Sequence, residues 1–281
     1  MRFAYNTNGC SNHRLEDAIE LLADHGYDGV ALTLDHHHLD PMRDGWEARA
    51  DELAERLQRL DLGVVIETGA RFLLDPKKKH RPTLLDARVD GRALRVEFLH
   101  RAHAVAERLG AEALSFWAGT TPSDCDEATA WDRLCDGISN LLERTPDDCS
   151  VPLCVEPEPG MLVETIDDLD RLRTRLGVDA NTLRLALDTG HCLVTGDREP
   201  DVAVRERQAE LGTVSIEDMR RGEHVHLPFG RGDMDLPRVL GALKEVGYER
   251  LVCVELSRES HRADRAIPEA IEALKRALAD C

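Results

Sequence analysis

Residues 183–192 read LRLALDTGHC, an apolar run of strand length that closes on an aspartate, a turn glycine and a histidine. A buried strand that delivers Asp188 and His191 together presents two groups that are costly to bury alone. The carboxylate should therefore be paired, hydrogen-bonded or metal-bound. Two other strand-like runs end the same way, VPLCVEPEPG (151–160) on Glu156 and RLVCVELS (250–257) on Glu255. Three apolar strands that each close on an acid point to one convergent site.

Outward from these three, short apolar runs alternate with longer amphipathic ones. RFAYN, GVALTL, GVVIE, ALSFW, VPLCVE, LRLALD, TVSIE and RLVCVE read as eight strands. Helical patterns fall between and after them, at about Leu15 to His25, Trp46 to Leu60, Arg88 to Leu109, Glu127 to Arg144, Ile166 to Leu176, Pro200 to Leu211, Leu236 to Val246 and Arg265 to Ala279. Ser11 and Asn12 are cap candidates for the first helix, and Gly26, Gly110, Gly177 and Gly247 stand just past helix ends. Such alternation forces parallel pairing through right-handed crossovers. An open doubly wound sheet would carry a glycine-rich turn after its first strand, and YNTNGC (5–10) is not a G-x-G-x-x-G. The expected architecture is an α/β fold, a (β/α)8 TIM barrel in one domain spanning residues 1–281, with its site at the carboxyl ends of the strands, where Glu156, Asp188, His191 and Glu255 fall.

Composition agrees with this and narrows the partners. The chain has 281 residues, 42% of them hydrophobic, and no Pro/Gly/Ser-rich linker divides it. A formal charge of −18 argues against nucleic acid or a membrane surface as the bulk partner. No apolar run approaches the roughly 18 to 20 residues that span a bilayer, and MRFAYNTNG has no signal-peptide pattern, so a cytoplasmic location is expected. The eight cysteines are scattered without a C-x-x-C, and buried free thiols are expected.

Two glutamates and an aspartate around one axis repel each other in a low-dielectric mouth unless a divalent cation neutralises them. Oxygen-rich ligation with a histidine or two suits Mn²⁺, Mg²⁺, Co²⁺ or Zn²⁺. HVHLPFGRGDMD (224–235) places His224 and His226 two residues apart, in what reads as an irregular segment after the seventh strand. Other polar clusters have bland readings beside functional ones. His36, His37 and His38 read as loop polar groups, and Lys77 to Lys79 with His80 and Arg81 as a solvated run or a phosphate or carboxylate clamp. Trp117 reads as core packing or a wall for a sugar ring.

VEPEPG at strand five, DTGH at strand six, the IED of SIEDM at strand seven, HLPFGRGDMD and the VEL of strand eight together resemble the xylose-isomerase-like, AP-endonuclease-family-2 TIM barrels. That group includes sugar epimerases, inosose dehydratases and endonuclease IV. The resemblance implies Glu156, Asp188 and Glu255 as ligands of one divalent ion, with a histidine three residues before Asp218 that is here Ser215. It also implies that His191, His224 and His226 are similar to zinc-binding positions of endonuclease IV, whose further cluster histidines correspond to Trp117 and to Glu67 or Thr68. YNTNG, ETGARFLLDP and IEDMRRG resemble the EboE-type metabolite-traffic subgroup.

What the resemblance implies is isomerisation or epimerisation of a polyhydroxy carbonyl compound through an enediolate. Glu156 and Glu255 would be base and acid, and His191 and Arg221 would hold hydroxyls; read from their own positions in the sequence, Trp117 and His80 are further candidates for the substrate pocket. The alternatives are a zinc-dependent phosphoester hydrolase and a catalytically altered metabolite-binding barrel. Barrels of this family often pair, which makes a homodimer an option.

Overall fold

In a computed structural model that describes residues 1–123, 125–146 and 149–281, the eight runs close into one parallel barrel. Its strands are β1 (Arg2–Asn6), β2 (Gly29–Thr33), β3 (Gly63–Glu67), β4 (Leu114–Phe116), β5 (Leu153–Val155), β6 (Arg184–Asp188) and β7 (Leu211–Ile216). An antiparallel hairpin, β8 (Asp218–Arg220) and β9 (Glu223–Leu227), precedes the last barrel strand, β10 (Leu251–Val254), which pairs with both β7 and β1. Around the barrel lie α1 (Leu15–Asp24), α2 (Trp46–Arg59), α3 (Val89–Leu109), α4 (Glu127–Arg144), α5 (Ile166–Leu176), α6 (Thr189–Thr195), α7 (Pro200–Glu206), α8 (Leu236–Glu245) and α9 (Ala263–Ala279).

Strand alternation divides the side chains into two cores. Val30, Leu32, Val64, Ile66, Leu185, Leu187, Val214, Ile216, Val252 and Val254 face outward and pack with the apolar faces of the helices. Ala4, Ala31, Val65, Ala113, Cys154, Ala186, Leu251 and Cys253 form a separate inner cluster of mostly small side chains that fills the barrel axis. Two residues further along the same strands, alternation brings Asn6, Thr33, Glu67, Ser115, Glu156, Asp188, Ser215 and Glu255 to the inner face, so polar groups replace apolar ones within one pleat.

Four details differ from the sequence reading. Neither Ser11 nor Asn12 caps α1, whose N-cap is Arg14 without a side-chain bond; Ser11 instead donates to the Asn8 carbonyl. The helix expected from Pro200 to Leu211 stops at Glu206, because Leu211 already opens β7. DTGH begins a short helix, α6, which Asp188 caps by accepting from the His191 N–H at 2.9 Å. The HVH segment is not irregular: it is β9, and its period of two puts His224 and His226 on one face. Cys10, Cys154, Cys192 and Cys253 are buried free thiols, as expected. Among the described residues no helix is long and apolar enough to cross a membrane.

Candidate metal centre at the barrel mouth

Five barrel strands end on an acid, at Glu67, Glu156, Asp188, Glu217 and Glu255. Glu67, Glu156 and Glu255, with Glu158, line a cavity of about 660 Å³ that also takes in Trp117, His80, His191, His224 and His226. Ligand atoms of Glu156, Asp188 and His191 lie within 4.8 Å of one another, as do those of Asp188, His226 and Glu255, and those of His191, His224 and His226. The structure thus brings together the six residues expected as ligands, in three overlapping trios that share Asp188, His191 and His226.

Each side chain is held by its local fold. Asp188 uses Oδ1 to cap α6, which leaves Oδ2 buried without a hydrogen-bond partner, 3.6 Å from His191 Nε2. His191 Nδ1 is 3.0 Å from the Pro157 carbonyl, which can only accept, so the proton of the neutral ring sits on Nδ1. Its Nε2 lone pair then faces Asp188 and His224 Nε2 (3.1 Å), the orientation that outer partners impose on metal-binding histidines. Asn8, from the YNTNG turn, donates to Glu255 Oε1 at 2.8 Å, and its own backbone N–H is fixed by Asn6 Oδ1. The hairpin that carries His224 and His226 is braced from the next loop by Asp218, whose carboxylate accepts from the N–H groups of Gly230, Arg231 and Met234. Gly232 permits that close approach, since a Cβ there would lie 2.4 Å from both Asp218 Oδ1 and the Met219 carbonyl.

Glu217 was not singled out in the sequence, although TVSIE ends on an acid just as its neighbours do. It is fully buried, neither carboxylate oxygen has a hydrogen-bond partner among the described residues, and Oε2 lies 3.8 Å from His226 Nδ1, beyond hydrogen-bond reach. Gly190 in α6 makes room for it, because a Cβ at that position would come within 2.1 Å of Glu217 Oε1. Ser215, in register with Asp188 on β6, stands where the resemblance puts a histidine, and His226 from β9 comes within ligand range of Asp188 and Glu255 instead.

The electrostatics report a crowd of like charge. Burial pushes the carboxyls of Glu67, Glu156 and Glu217 well above the usual range, and neighbouring carboxylates push in the same direction. Burial with Glu255 and Asp188 nearby raises Glu158 to about 6, against the opposing pull of His191 and His226. Burial by itself would lower His226, but Glu255, Glu217 and Asp188 around it override that and push it up to about 10. Asp188 is lowered despite burial, chiefly by His191 and His226. Burial, with His191 and His226 adjacent, lowers His224 to about 4.

These features fit a divalent cation. Orphaned oxygens on Asp188 and Glu217 and the orphaned Nδ1 of His226 are buried polar atoms that need a partner, and the donor set is the mixed carboxylate and imidazole type that such ions take.

The chain matches the family model of the xylose isomerase-like TIM barrel over residues 19–277. It belongs to that family. It is 22% identical to the uncharacterized protein MJ1311 of Methanocaldococcus jannaschii, over all of this chain and 92% of that one. Among solved structures it is similar to 3-keto-D-glucoside 4-epimerase YcjR of E. coli (TM-score 0.78, 14% identity, 98% of this chain and 99% of that one). It is also similar to an L-ribulose 3-epimerase (0.76, 20%, 99% and 96%) and to the IolI protein with a bound zinc atom (0.72, 19%, 100% and 97%).

The remaining expected site residues divide. Trp117 is 7% exposed and lines the cavity, while its ring packs under the Arg95 guanidinium at 4.4 Å and against the His80 ring at 5.7 Å. His80 lines the cavity with Nδ1 bound to the Gly69 carbonyl, and burial lowers it to about 4. Arg221 is a correction: it is not among the cavity's lining, because its exposed side chain pairs with Glu199 at 2.8 Å. The sequence treated His36 and His37 as loop polar groups, yet both line the cavity; His38 is buried beneath them.

Proposed function

We propose that the chain is a divalent-cation-dependent isomerase or epimerase of a polyhydroxy carbonyl compound. The observation that carries this reading is the ring of strand-end carboxylates with buried, unpartnered oxygens, reached by His226 from β9. The solved folds it resembles, two named as sugar epimerases and one as IolI with zinc, support the same class.

Asp188, Glu255, Glu156 and His226 would hold a Mn²⁺, Mg²⁺, Co²⁺ or Zn²⁺ ion, which would supply the positive charge needed to polarise a substrate carbonyl and its neighbouring hydroxyl. Glu255 and Glu156 stand three strands apart in the closed sheet and both face the cavity. Asn8 fixes Glu255 as the proton acceptor, whereas Glu156, pushed up by burial and with Ser115 Oγ at 3.4 Å as its hydrogen-bond donor among the described residues, holds a proton readily and returns it from the other side. His191 positions a hydroxyl, and Trp117 and His80 form the wall against which the carbon chain packs. A carboxylate that also ligates a metal is a weak base, so positioning must contribute much of the acceleration.

The test is solvent-deuterium incorporation by the Mn²⁺-loaded protein across a panel of ketoses, inososes, 3-ketoglycosides and sugar phosphates. Wild type should label one substrate at carbon, and Glu156→Gln and Glu255→Gln should each abolish labelling. Labelling retained in both variants would refute the assignment, and tight binding of a panel member without labelling would favour a metabolite-binding barrel.

A second reading has one observation in its favour. His191, His224 and His226 form a trio of their own beside the carboxylates, as a two-metal hydrolase of phosphoesters would require. Metal content separates the two: one ion per chain fits isomerisation, two tightly held zinc ions fit hydrolysis.

A further inference from the structure

The mouth of the cavity differs in sign from its floor. Four glutamates, Glu67, Glu156, Glu158 and Glu255, line the floor, while Arg71, Lys79 and Arg258 line the same cavity. Elsewhere the arginines of this acidic chain are commonly locked in ion pairs, as Arg198 is with Asp167, Asp197 and Glu206, and Arg207 with Asp170 and Glu210. Among the described residues Lys79 and Arg258 form no ion pair, and the carboxylate oxygen nearest Arg71, Asp35 Oδ2, is 4.0 Å away.

Arg71 is also held in place. Its Nη1 donates to Ser11 Oγ at 2.5 Å and its Nη2 to the Asn8 carbonyl at 2.8 Å, so two of the five guanidinium N–H groups are anchored and the others are available. Ala70, Arg71 and His80 all have positive φ (57°, 36° and 61°), a conformation that non-glycine residues adopt at a cost and that clusters where loops do chemistry. The His80 N–H donates to the Arg71 carbonyl at 2.6 Å, which draws Lys79 to the same rim. Ser260 donates to the Asn8 carbonyl at 2.9 Å, which brings the segment of Arg258 beside Arg71.

We infer that this rim is an anion subsite, and that the substrate of the barrel carries a terminal phosphate gripped by Arg71, Lys79 and Arg258. Asn8 sets the spacing. It donates its side-chain N–H to Glu255 on the floor and receives Arg71 at its backbone oxygen, so one asparagine separates the reacting end from the anionic end. A molecule a few carbons long spans that distance. Long-range attraction does not bring the ligand in, since the net charge of −18 repels any anion, and three cations without strong partners at one opening supply the local well that a phosphorylated ligand needs. Of the Lys77 to Arg81 run only Lys79 and His80 reach the cavity; Arg71 and Arg258 come from outside it.

The inference rests on the isomerase reading only for which end of the substrate enters first, and the experiment keeps the two apart. Binding of sorbitol 6-phosphate, gluconate and sorbitol is measured by calorimetry at fixed ionic strength, on wild type, on the triple variant Arg71→Gln/Lys79→Gln/Arg258→Gln and on the double variant Lys79→Gln/Arg258→Gln. Mn²⁺ uptake by each protein is measured alongside. The double variant alters only exposed side chains and stands in if the Arg71 loop misfolds. Wild type should prefer sorbitol 6-phosphate over sorbitol by about tenfold or more, and the variants should lose most of that preference while taking up Mn²⁺ normally. No preference in wild type, a preference that survives both variants, or equal preference for gluconate would overturn the phosphate assignment. Failure of Mn²⁺ to bind wild type, with the phosphate preference intact, would sink the isomerase reading and leave the anion subsite standing.

Discussion

Two layers of the barrel interior, one pleat apart, have opposite chemistry. The lower layer is Ala4, Ala31, Val65, Cys154, Ala186 and Cys253; the upper is Asn6, Thr33, Glu67, Glu156, Asp188 and Glu255, each two residues further along the same strand. The lower layer fills the axis with small side chains and stabilises the closed sheet. The upper layer concentrates buried carboxylates that oppose folding unless something neutralises them. The division between stability and chemistry is therefore drawn along each strand, not between separate regions of the chain.

The largest effect that would break this contrast comes from the upper layer. Asp188→Asn, which keeps the shape and removes the charge shared by two of the ligand trios, should weaken divalent-metal affinity by about a hundredfold or more, measured by competition with a metallochromic chelator. The crowding itself shows at Glu217, whose carboxylate is disfavoured by burial and by Asp188: Glu217→Gln should raise the melting temperature of the metal-free protein at alkaline pH. In the lower layer the signs reverse: Ala186→Leu should cost about 1 to 3 kcal/mol by overpacking, read as a lower denaturant midpoint, with metal affinity unchanged in the folded protein.

Acidity sharpens the contrast further. Glu67, Glu156, Glu158 and Glu217 have folded pKa values above their ordinary 4.5, so folding takes up protons and stability falls as pH rises from there through about 6, the value for Glu158, and beyond. His226, raised from 6.5 to about 10, stabilises fully below 6.5 and loses that contribution as pH rises through 10. His224 and His80, lowered to about 4, have the opposite sign below 6.5, where their unfolded forms bind the extra proton, so the two trends agree only above that: the metal-free protein should melt at progressively lower temperature from pH 6.5 to pH 9. Added Mn²⁺ should raise the melting temperature most at the alkaline end, because the ion replaces protons. A flat metal-free profile would remove the account of the crowded mouth.

The smallest expected effect probes the exchange of histidines. His226→Ala should weaken metal binding by about tenfold, and Ser215→His in that background should recover most of the loss by restoring a ligand from β7. Recovery would show that the β9 histidine replaces a barrel-strand ligand; its absence would mean that the two positions do not serve the same ion.

Much of this was legible in the sequence, for physical reasons that also explain the gaps. Eight apolar runs with helical patterns between them specify a parallel barrel, and strands that close on Glu156, Asp188 and Glu255 place the site, because burying an acid at a strand end has few other uses. The same signal ran through TVSIE and GVVIE, yet Glu217, inside the IED motif, and Glu67, named only as a position where a cluster histidine would stand, were passed over because the resemblance assigned neither of them as a ligand. The β8–β9 hairpin was missed because RRGEHVHL is too polar to read as strand; its partners are each other, the Asp218-braced loop and α6. The contribution of Asn8 and the cation rim depend on loops from β1, β3 and β10 meeting in space, which spacing along the chain does not disclose. Arg221 went the other way: a motif position suggested substrate contact, and Glu199 captured it on the surface.

Anomalous diffraction from crystals soaked with Mn²⁺, collected on both sides of the metal edge, tests the central claim most directly. The account predicts one ion at the barrel mouth with Asp188, Glu255, His226 and Glu156 oxygens or nitrogens at about 2.0 to 2.6 Å. A mouth without anomalous signal at millimolar Mn²⁺, or an ion bound elsewhere while these carboxylates stay apart, would contradict it.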